Sequence, residues 1–97
     1  MKPCKRIEIV VDGQMVGRVT ELLRSAGVPG YTVIRDASGW GNRGVRQPDG
    51  VSGAFENCVV LCACAPEVLD AMADRLRAVL RRTGGVALVS DAAYLMQ

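Results

Sequence analysis

The chain has 97 residues, 49% of them hydrophobic, and its 12 basic and 10 acidic side chains leave a formal net charge of +2. This length predicts one small domain over 1–97, and the nearly balanced charge argues against bulk attraction to nucleic acid or to membranes. No apolar run suited to a signal peptide follows the first residues, and the longest apolar stretch, 58–66, is far shorter than the ~20 residues of a membrane span. We therefore expect a cytoplasmic protein that binds no nucleic acid.

The spacing of apolar residues predicts six elements in the order strand, helix, strand, strand, helix, strand. The strands are 5–11, 31–35, 58–64 and 86–89, and the helices are 15–26 and 66–82. Asp12 is predicted to cap the first helix. This order is that of a ferredoxin-like α+β sandwich, βαββαβ, in which two helices cover one face of a four-stranded sheet.

The third predicted strand is apolar on both of its faces, although two helices can cover only one face of the sheet. An apolar sheet face does not remain in water, so we expect copies of the chain to pack against one another there. The alternative is that the tail 91–97 covers this face by itself. We prefer an oligomer because a seven-residue tail hides little area.

A linker of roughly 20 residues, 36–57, separates the second and third predicted strands, and loops of such length are usually functional or disordered. It contains five glycines, the only tryptophan, Arg43 and Arg46. Glycine backbone N–H groups and forked arginine donors suit an anion such as a phosphate. A solvated loop with incidental charges is the alternative. A second glycine cluster, 83–85, is either a further ligand contact or a simple helix cap.

Catalytic and metal signatures are weak. The chain has no histidine, so it has no Ser-His or Cys-His nucleophile, and we expect no enzyme activity. Its four cysteines are Cys4, Cys58, Cys62 and Cys64. The last three lie at even spacing in one predicted strand, so their side chains share a face, where we expect them to act as small buried hydrophobes. No metal is expected.

Two motifs resemble the PII signalling proteins. The segment 27–33, GVPGYTV, followed by Gly39-Trp40-Gly41, resembles the motif in which the second PII strand leads into the T-loop. The segment 41–46, GNRGVR, is similar to the loop of PII-like proteins associated with bicarbonate transporters and carboxysome gene clusters. The element order matches along the whole chain. The resemblance implies a trimeric PII-like signal-transduction protein with a T-loop at about 37–56 and a B-loop at about 83–86.

The resemblance also implies an adenine nucleotide in each of three clefts between subunits. The segment 30–33 would hold the adenine with the Thr32 hydroxyl, the start of the T-loop would line ribose and phosphates, and the B-loop would come from the neighbouring subunit. Arg43 and Arg46 resemble ligands of phosphate or another anion. The implied nucleotide-binding residues are Gly30, Tyr31, Thr32, Val33, Gly39, Trp40, Gly41, Asn42, Arg43, Arg46, Gly84, Gly85 and Val86.

Departures from the family pattern narrow the expected ligand. Typical PII proteins have a lysine after the B-loop glycines and two C-terminal arginines that grip the terminal phosphate of ATP, but here Val86 follows the glycines and no arginine follows Arg82. We therefore expect ADP or AMP as the effector, with bicarbonate as a further ligand. The T-loop would contact a target protein, such as a bicarbonate transporter or a carboxysome component.

Two alternatives remain at this stage. An ACT-type regulatory domain has the same element order and binds amino acids, although its connection between the second and third strands is usually short. A metal-binding trimer of the CutA type would use Cys62 and Cys64.

Overall fold

The computed structural model describes residues 1–41, 44–46 and 57–95. Its strands and helices follow the predicted order, with a short additional hairpin in the long linker. They are β1 (Lys2–Asp12), a single 3₁₀ turn (Gly13–Met15), α1 (Val16–Ser25), β2 (Tyr31–Ala37), β3 (Gly39–Gly41), β4 (Gly44–Arg46), β5 (Asn57–Cys64), α2 (Pro66–Thr83) and β6 (Val86–Tyr94).

The main sheet has the strand order β2-β5-β1-β6, and every neighbouring pair is antiparallel. β1 is central: Ile9 lies opposite Val60 of β5 on one side and opposite Ala87 of β6 on the other. With two helices packed on it, this sheet confirms the predicted ferredoxin-like α+β fold.

One face of the sheet, here called the covered face, lies under the two helices. Strand side chains alternate between faces, so every second residue of β1 and β5 points to the helices. Its fully buried strand residues are Ile7, Ile9, Val11, Cys58, Val60 and Cys64. The helices fill the space above with side chains at helical spacing: Val19, Leu23, Met72 and Leu76. The even-spaced cysteines of β5 therefore belong to the core.

The opposite face, here called the open face, is apolar but has no helix above it. Ile34, Val59, Val10 and Val86 lie directly opposite one another in a row that crosses all four strands. A second row on the same face contains Leu61 and Leu88. The side chains of Ile34, Val86 and Leu88 are 47%, 48% and 59% exposed. The apolar pattern of the third predicted strand thus indicated a real uncovered surface.

β6 is longer than predicted. Residues 90–94 continue the strand beyond the predicted 86–89, because they pair with β1 as far as Lys2 opposite Tyr94. The tail therefore extends the sheet edge instead of lying over the open face, and the alternative in which it covers that face by itself is wrong. Tyr94, the last residue of β6, lies on the open face at the edge of the sheet.

Two further expectations differ from the structure. Asp12 makes no side-chain cap, because the 3₁₀ turn separates it from the start of α1; it lies buried at the end of β1, opposite Asn57. The linker 36–57 is not wholly irregular, since β3 and β4 form a hairpin with Trp40 opposite Val45. Within the described residues, neither helix is long and apolar enough to cross a membrane.

Candidate functional site

A shallow cleft of about 360 Å³ lies at the end of the sheet where β2 begins and β5 ends. Two tyrosines, Tyr31 and Tyr94, and a stretch of β5 contribute to its lining. The lining residues are Pro29, Gly30, Tyr31, Thr32, Leu61, Cys62, Ala63 and Tyr94. The structure therefore brings Gly30, Tyr31 and Thr32, three of the predicted adenine-binding residues, into one cavity.

The first residues of β2 present two different sides to this cleft. Tyr31 lies opposite Cys62 on the covered face, where Nη2 of Arg24 donates a hydrogen bond to its hydroxyl at 3.1 Å. Thr32 lies opposite Leu61 on the open face and is exposed. Because consecutive strand residues point to opposite faces, the aromatic ring is anchored to α1 while the Thr32 hydroxyl stays accessible.

Two ionisable groups in the cleft remain neutral at physiological pH. Burial, with a smaller contribution from Cys64, raises the pKa of the Cys62 thiol to about 11. Desolvation, followed by the nearby Cys4, Cys64 and Cys62, raises the pKa of the Tyr94 hydroxyl. Cys62 is thus an apolar wall residue, and Tyr94 supplies a phenol that donates or accepts a hydrogen bond.

The cysteines resemble core residues more than metal ligands. All four are buried and none forms a disulfide. Burial also raises the pKa of Cys64, which disfavours the thiolate that a metal would need. Across 1–41, 44–46 and 57–95, no three His, Cys, Asp or Glu side chains are arranged so that they could hold a metal ion.

The root of the long linker lies at the other end of the sheet. β2 has a register shift between Ile34 and Ala37, and Asp36 adopts a positive φ of 61° within it. Asn57, which lies opposite Ala37 of β2, is buried in this region. An ideal Cβ at Gly39 would lie 2.5 Å from Nδ2 of Asn57, so a larger residue there would require the Asn57 side chain to move. The hairpin that carries Trp40 therefore starts from a tightly packed base.

The turn between α2 and β6 lies at the same end of the sheet as this root, since Val86 pairs with Val10 near the end of β1. Gly84 has a φ of 71° and its N–H donates to the Leu80 carbonyl at 2.9 Å. The Gly85 N–H donates to the Thr83 hydroxyl at 3.3 Å. The turn is thus a helix cap whose two glycine amides are already engaged.

Comparison with known proteins decides the family. The family model described as nitrogen regulatory protein P-II matches residues 4–96. The chain belongs to this family. It is a PII-like regulatory protein, and the names T-loop, for about 37–56, and B-loop, for about 83–86, are kept below as labels for these two segments. No curated protein matches the chain.

Solved structures agree with this assignment. The chain is similar to CPII, a nitrogen regulatory PII-like protein from Thiomonas intermedia, bound to ADP, AMP and bicarbonate: TM-score 0.88, 26% identity, 95% of this chain and 88% of that chain covered. A structure of CPII bound to ADP and bicarbonate has a TM-score of 0.82 at 27% identity, with 95% and 88% covered. A PII-like signalling protein from Thermus thermophilus, with a TM-score of 0.78 and 22% identity over 96% and 90% of the two chains, shares the fold.

Within one PII-like chain the predicted site residues form two separate groups. Tyr31 and Ala37 mark opposite ends of β2, about 20 Å apart at roughly 3.3 Å per residue. The segment 30–32 lies at the cleft end; Val33 faces the core and packs against it. Gly39, Trp40, Gly41, Gly84, Gly85 and Val86 lie at the T-loop end. Asn42 and Arg43 lie outside the described residues, and Arg46 is placed only by its backbone pairing with Gly39.

The resemblance assigned the B-loop to the neighbour of the subunit that provides the T-loop. The register places both loops at the same end of one chain and the segment 30–32 at the other end. Which subunit supplies each part to a nucleotide site stays a prediction.

Sequence reasoning missed the floor and one wall of the cleft, Leu61, Cys62, Ala63 and Tyr94. The first three belong to a strand read as core, and Tyr94 to a tail read as irregular. The period-two pattern Val86, Leu88, Ser90, Ala92, Tyr94 was the signal that β6 continues and directs this tyrosine to the open face.

Proposed function

We propose that this chain is a homotrimeric PII-like regulatory protein that binds ADP or AMP in clefts between subunits, responds to bicarbonate, and signals through its T-loop. The observation that carries the proposal is the separation of the site residues between the two ends of the sheet. A complete site needs one end from each of two copies, and the apolar open face offers a surface for their association. The bound ligands of CPII support the choice of nucleotide.

The cleft suits an adenine base. Its walls are largely apolar, and aromatic rings favour stacking or edge contacts with a flat heterocycle. The Thr32 hydroxyl provides a hydrogen bond that can select the base edge. β5 also continues for two residues beyond its last pairing with β2 at Cys62, so backbone groups on that side of Ala63–Cys64 are not paired with β2. Such N–H and C=O groups form hydrogen bonds with the edge of a base in the same way as with a neighbouring strand.

The T-loop end suits ribose and phosphates. We assign the residues Gly39 to Gly41 and Asn42 to the approach of the sugar-phosphate, and Arg43 and Arg46 to its negative charge. If the arginines bind phosphate, replacing either with alanine should weaken ADP binding about tenfold, which corresponds to roughly 1.4 kcal/mol. Adenosine binding should hardly change. Variants that bind ADP normally but lose any dependence on bicarbonate would assign the arginines to bicarbonate instead.

Calorimetry tests the ligand directly. We expect ADP and AMP to bind more tightly than ATP, because Val86 stands where typical PII proteins have a lysine that grips the third phosphate. Each missing charge-assisted hydrogen bond removes roughly 1.5–3 kcal/mol. Titrations with and without bicarbonate would measure the coupling between the two ligands. Tighter binding of ATP than of ADP would contradict the proposed preference, and no binding of any adenine nucleotide would contradict the function.

The T-loop is the proposed signalling element, the segment whose conformation a target protein recognises. Its glycines favour many conformations in the free state, so a ligand at its root would shift the population. Limited proteolysis between residues 36 and 57 should be slower with ADP and bicarbonate than without them. Equal cleavage rates in all conditions would contradict a signalling role for this loop. The proposed target is a cytoplasmic-side component of inorganic carbon metabolism, a bicarbonate transporter or a carboxysome component.

A further inference from the structure

A second groove, of about 300 Å³, lies where α2 meets the B-loop. Its lining is basic and apolar, with no acidic residue: Arg77, Leu80, Arg81, Gly84 and Gly85. It lies at the T-loop end of the sheet, because Gly85 directly precedes the strand residue that pairs with Val10. The predicted nucleotide-binding residues do not include its two arginines.

The floor of this groove is tightly packed. An ideal Cβ at Gly85 would lie 2.9 Å from the Val10 carbonyl oxygen and 2.9 Å from Cγ1 of Val11, so the backbone packs directly onto β1. The amides of Gly84 and Gly85 are engaged by Leu80 and Thr83. The donors that remain in the lining are therefore the guanidinium groups.

The charges on the wall are unbalanced. Arg77 and Arg81 are four residues apart on one helix face, where like charges repel each other. Arg77 has a partial counter-charge in Asp74, 2.7 Å away, but the Asp74 side chain is 98% exposed and such a pair is weak. Arg81 has no acidic partner among the residues that the structure describes. A bound anion would relieve this repulsion.

We propose that this groove is an oxyanion site in which Arg81, assisted by Arg77, binds a phosphoryl group. The C-terminal end of a helix is the negative end of its dipole, so the anion must contact the guanidinium forks and not the helix backbone. The phosphoryl group belongs either to the nucleotide or to a free anion of similar chemistry. The nucleotide source rests on the proposed function, whereas the anion site itself does not.

Three alanine variants test the site against a matched control. Arg82 is exposed on the same helix turn but does not line the groove, so Arg82→Ala removes the same charge without removing a ligand. We expect Arg81→Ala to weaken ADP binding about five- to tenfold, Arg77→Ala to weaken it less, and Arg82→Ala to leave it nearly unchanged. Arg81→Lys keeps the charge but loses the fork and should fall between wild type and Arg81→Ala. Melting temperatures measured without ligand would show whether each variant is folded.

Parallel titrations with ADP, adenosine, inorganic phosphate and bicarbonate separate the sources. Loss of ADP affinity with unchanged adenosine affinity assigns the site to the nucleotide phosphate. Unchanged ADP affinity with weaker phosphate or bicarbonate binding assigns it to a free anion. The proposal is overturned if Arg81→Ala alters none of these affinities, or if Arg82→Ala alters them equally. If wild type binds no adenine nucleotide, the proposed function fails, and the phosphate titration still tests the groove.

Discussion

The two faces of the sheet use the same residue types for different purposes. On the covered face, Ile7, Ile9 and Val60 are fully buried beneath the helices. On the open face, Ile34, Val86 and Leu88 are about half exposed, and the row that contains Leu88 also contains Glu8. The covered face holds one chain together, and the open face has the composition of a surface that a second copy would bury. Apolar strand residues therefore fall into two classes that differ only in the side to which they point.

The largest expected effect is on the covered face. Ile9→Ala should destabilise the protein by about 2–5 kcal/mol, because it deletes fully buried methyl groups and leaves a cavity. Urea unfolding at several fixed protein concentrations would measure it. The matched variant Ile34→Ala, on the open face, should lower stability by an amount that depends on protein concentration. Similar, concentration-independent losses in both variants would contradict the distinction between the faces.

The second-largest effect is expected on the association of chains through the open face. Leu88→Asp should convert the proposed trimer into a folded species of 10.3 kDa, because a carboxylate cannot be buried against apolar neighbours without a partner. Light scattering would give the mass and circular dichroism would report the fold. Ala78→Asp, on the exposed side of α2, is the control and should remain associated. A monomeric wild type, or a Leu88→Asp variant that is still trimeric, would contradict the proposal that chains associate through the open face.

A smaller effect is expected where Tyr94 lies on the open face. Cys4 lies on this face yet is only 5% exposed, and Tyr94 is close to it. Tyr94→Ala should raise the labelling rate of Cys4 by about an order of magnitude, since thiol reactivity follows exposure. Mass spectrometry after reaction with a maleimide would locate the label, and Cys4→Ala in the same background should abolish the gain. An unchanged rate would mean that another group shields this cysteine.

The smallest effect belongs to the exposed Lys5–Asp91 ion pair at the edge of the covered face. Lys5 lowers the pKa of the Asp91 carboxyl, so this pair contributes stability above the usual value of 3.8, and the contribution is lost as pH falls through the lowered pKa. Asp91→Asn should show a small decrease in melting temperature at pH 7 that vanishes in strong acid. High salt should shrink the difference at neutral pH. A difference that persists in acid would assign it to packing.

The same distinction explains how far the sequence alone could be read. Alternation in β1 and helical spacing in α2 identified the elements, because both reflect burial within one chain. Apolarity on both sides of β5 also indicated the open face. Tyr94 was missed because the fourth strand was predicted to end at residue 89, although its period-two pattern continues to Tyr94. The register that places Tyr94 opposite Lys2, and so beside the cleft, is the part that a local pattern does not encode. The separation of 30–32 from the T-loop root was missed for the same reason, since it follows from the length and direction of β2.

The central position of β1 has a consequence for the order in which the chain assembles. Asp12 pairs with Asn57 and Lys2 with Tyr94, so the first strand finds both of its neighbours in the second half of the chain. During synthesis at about 5–20 residues per second, β1 would leave the ribosome roughly 4–16 s before β6 is complete. Such long-range pairing slows folding, because the entropy of closing the chain is lost before the contacts form. The N-terminal half therefore exposes the apolar residues Ile7, Ile9, Val10 and Val11 of β1 for seconds, and chaperones that hold such segments should bind the nascent chain before the sheet closes.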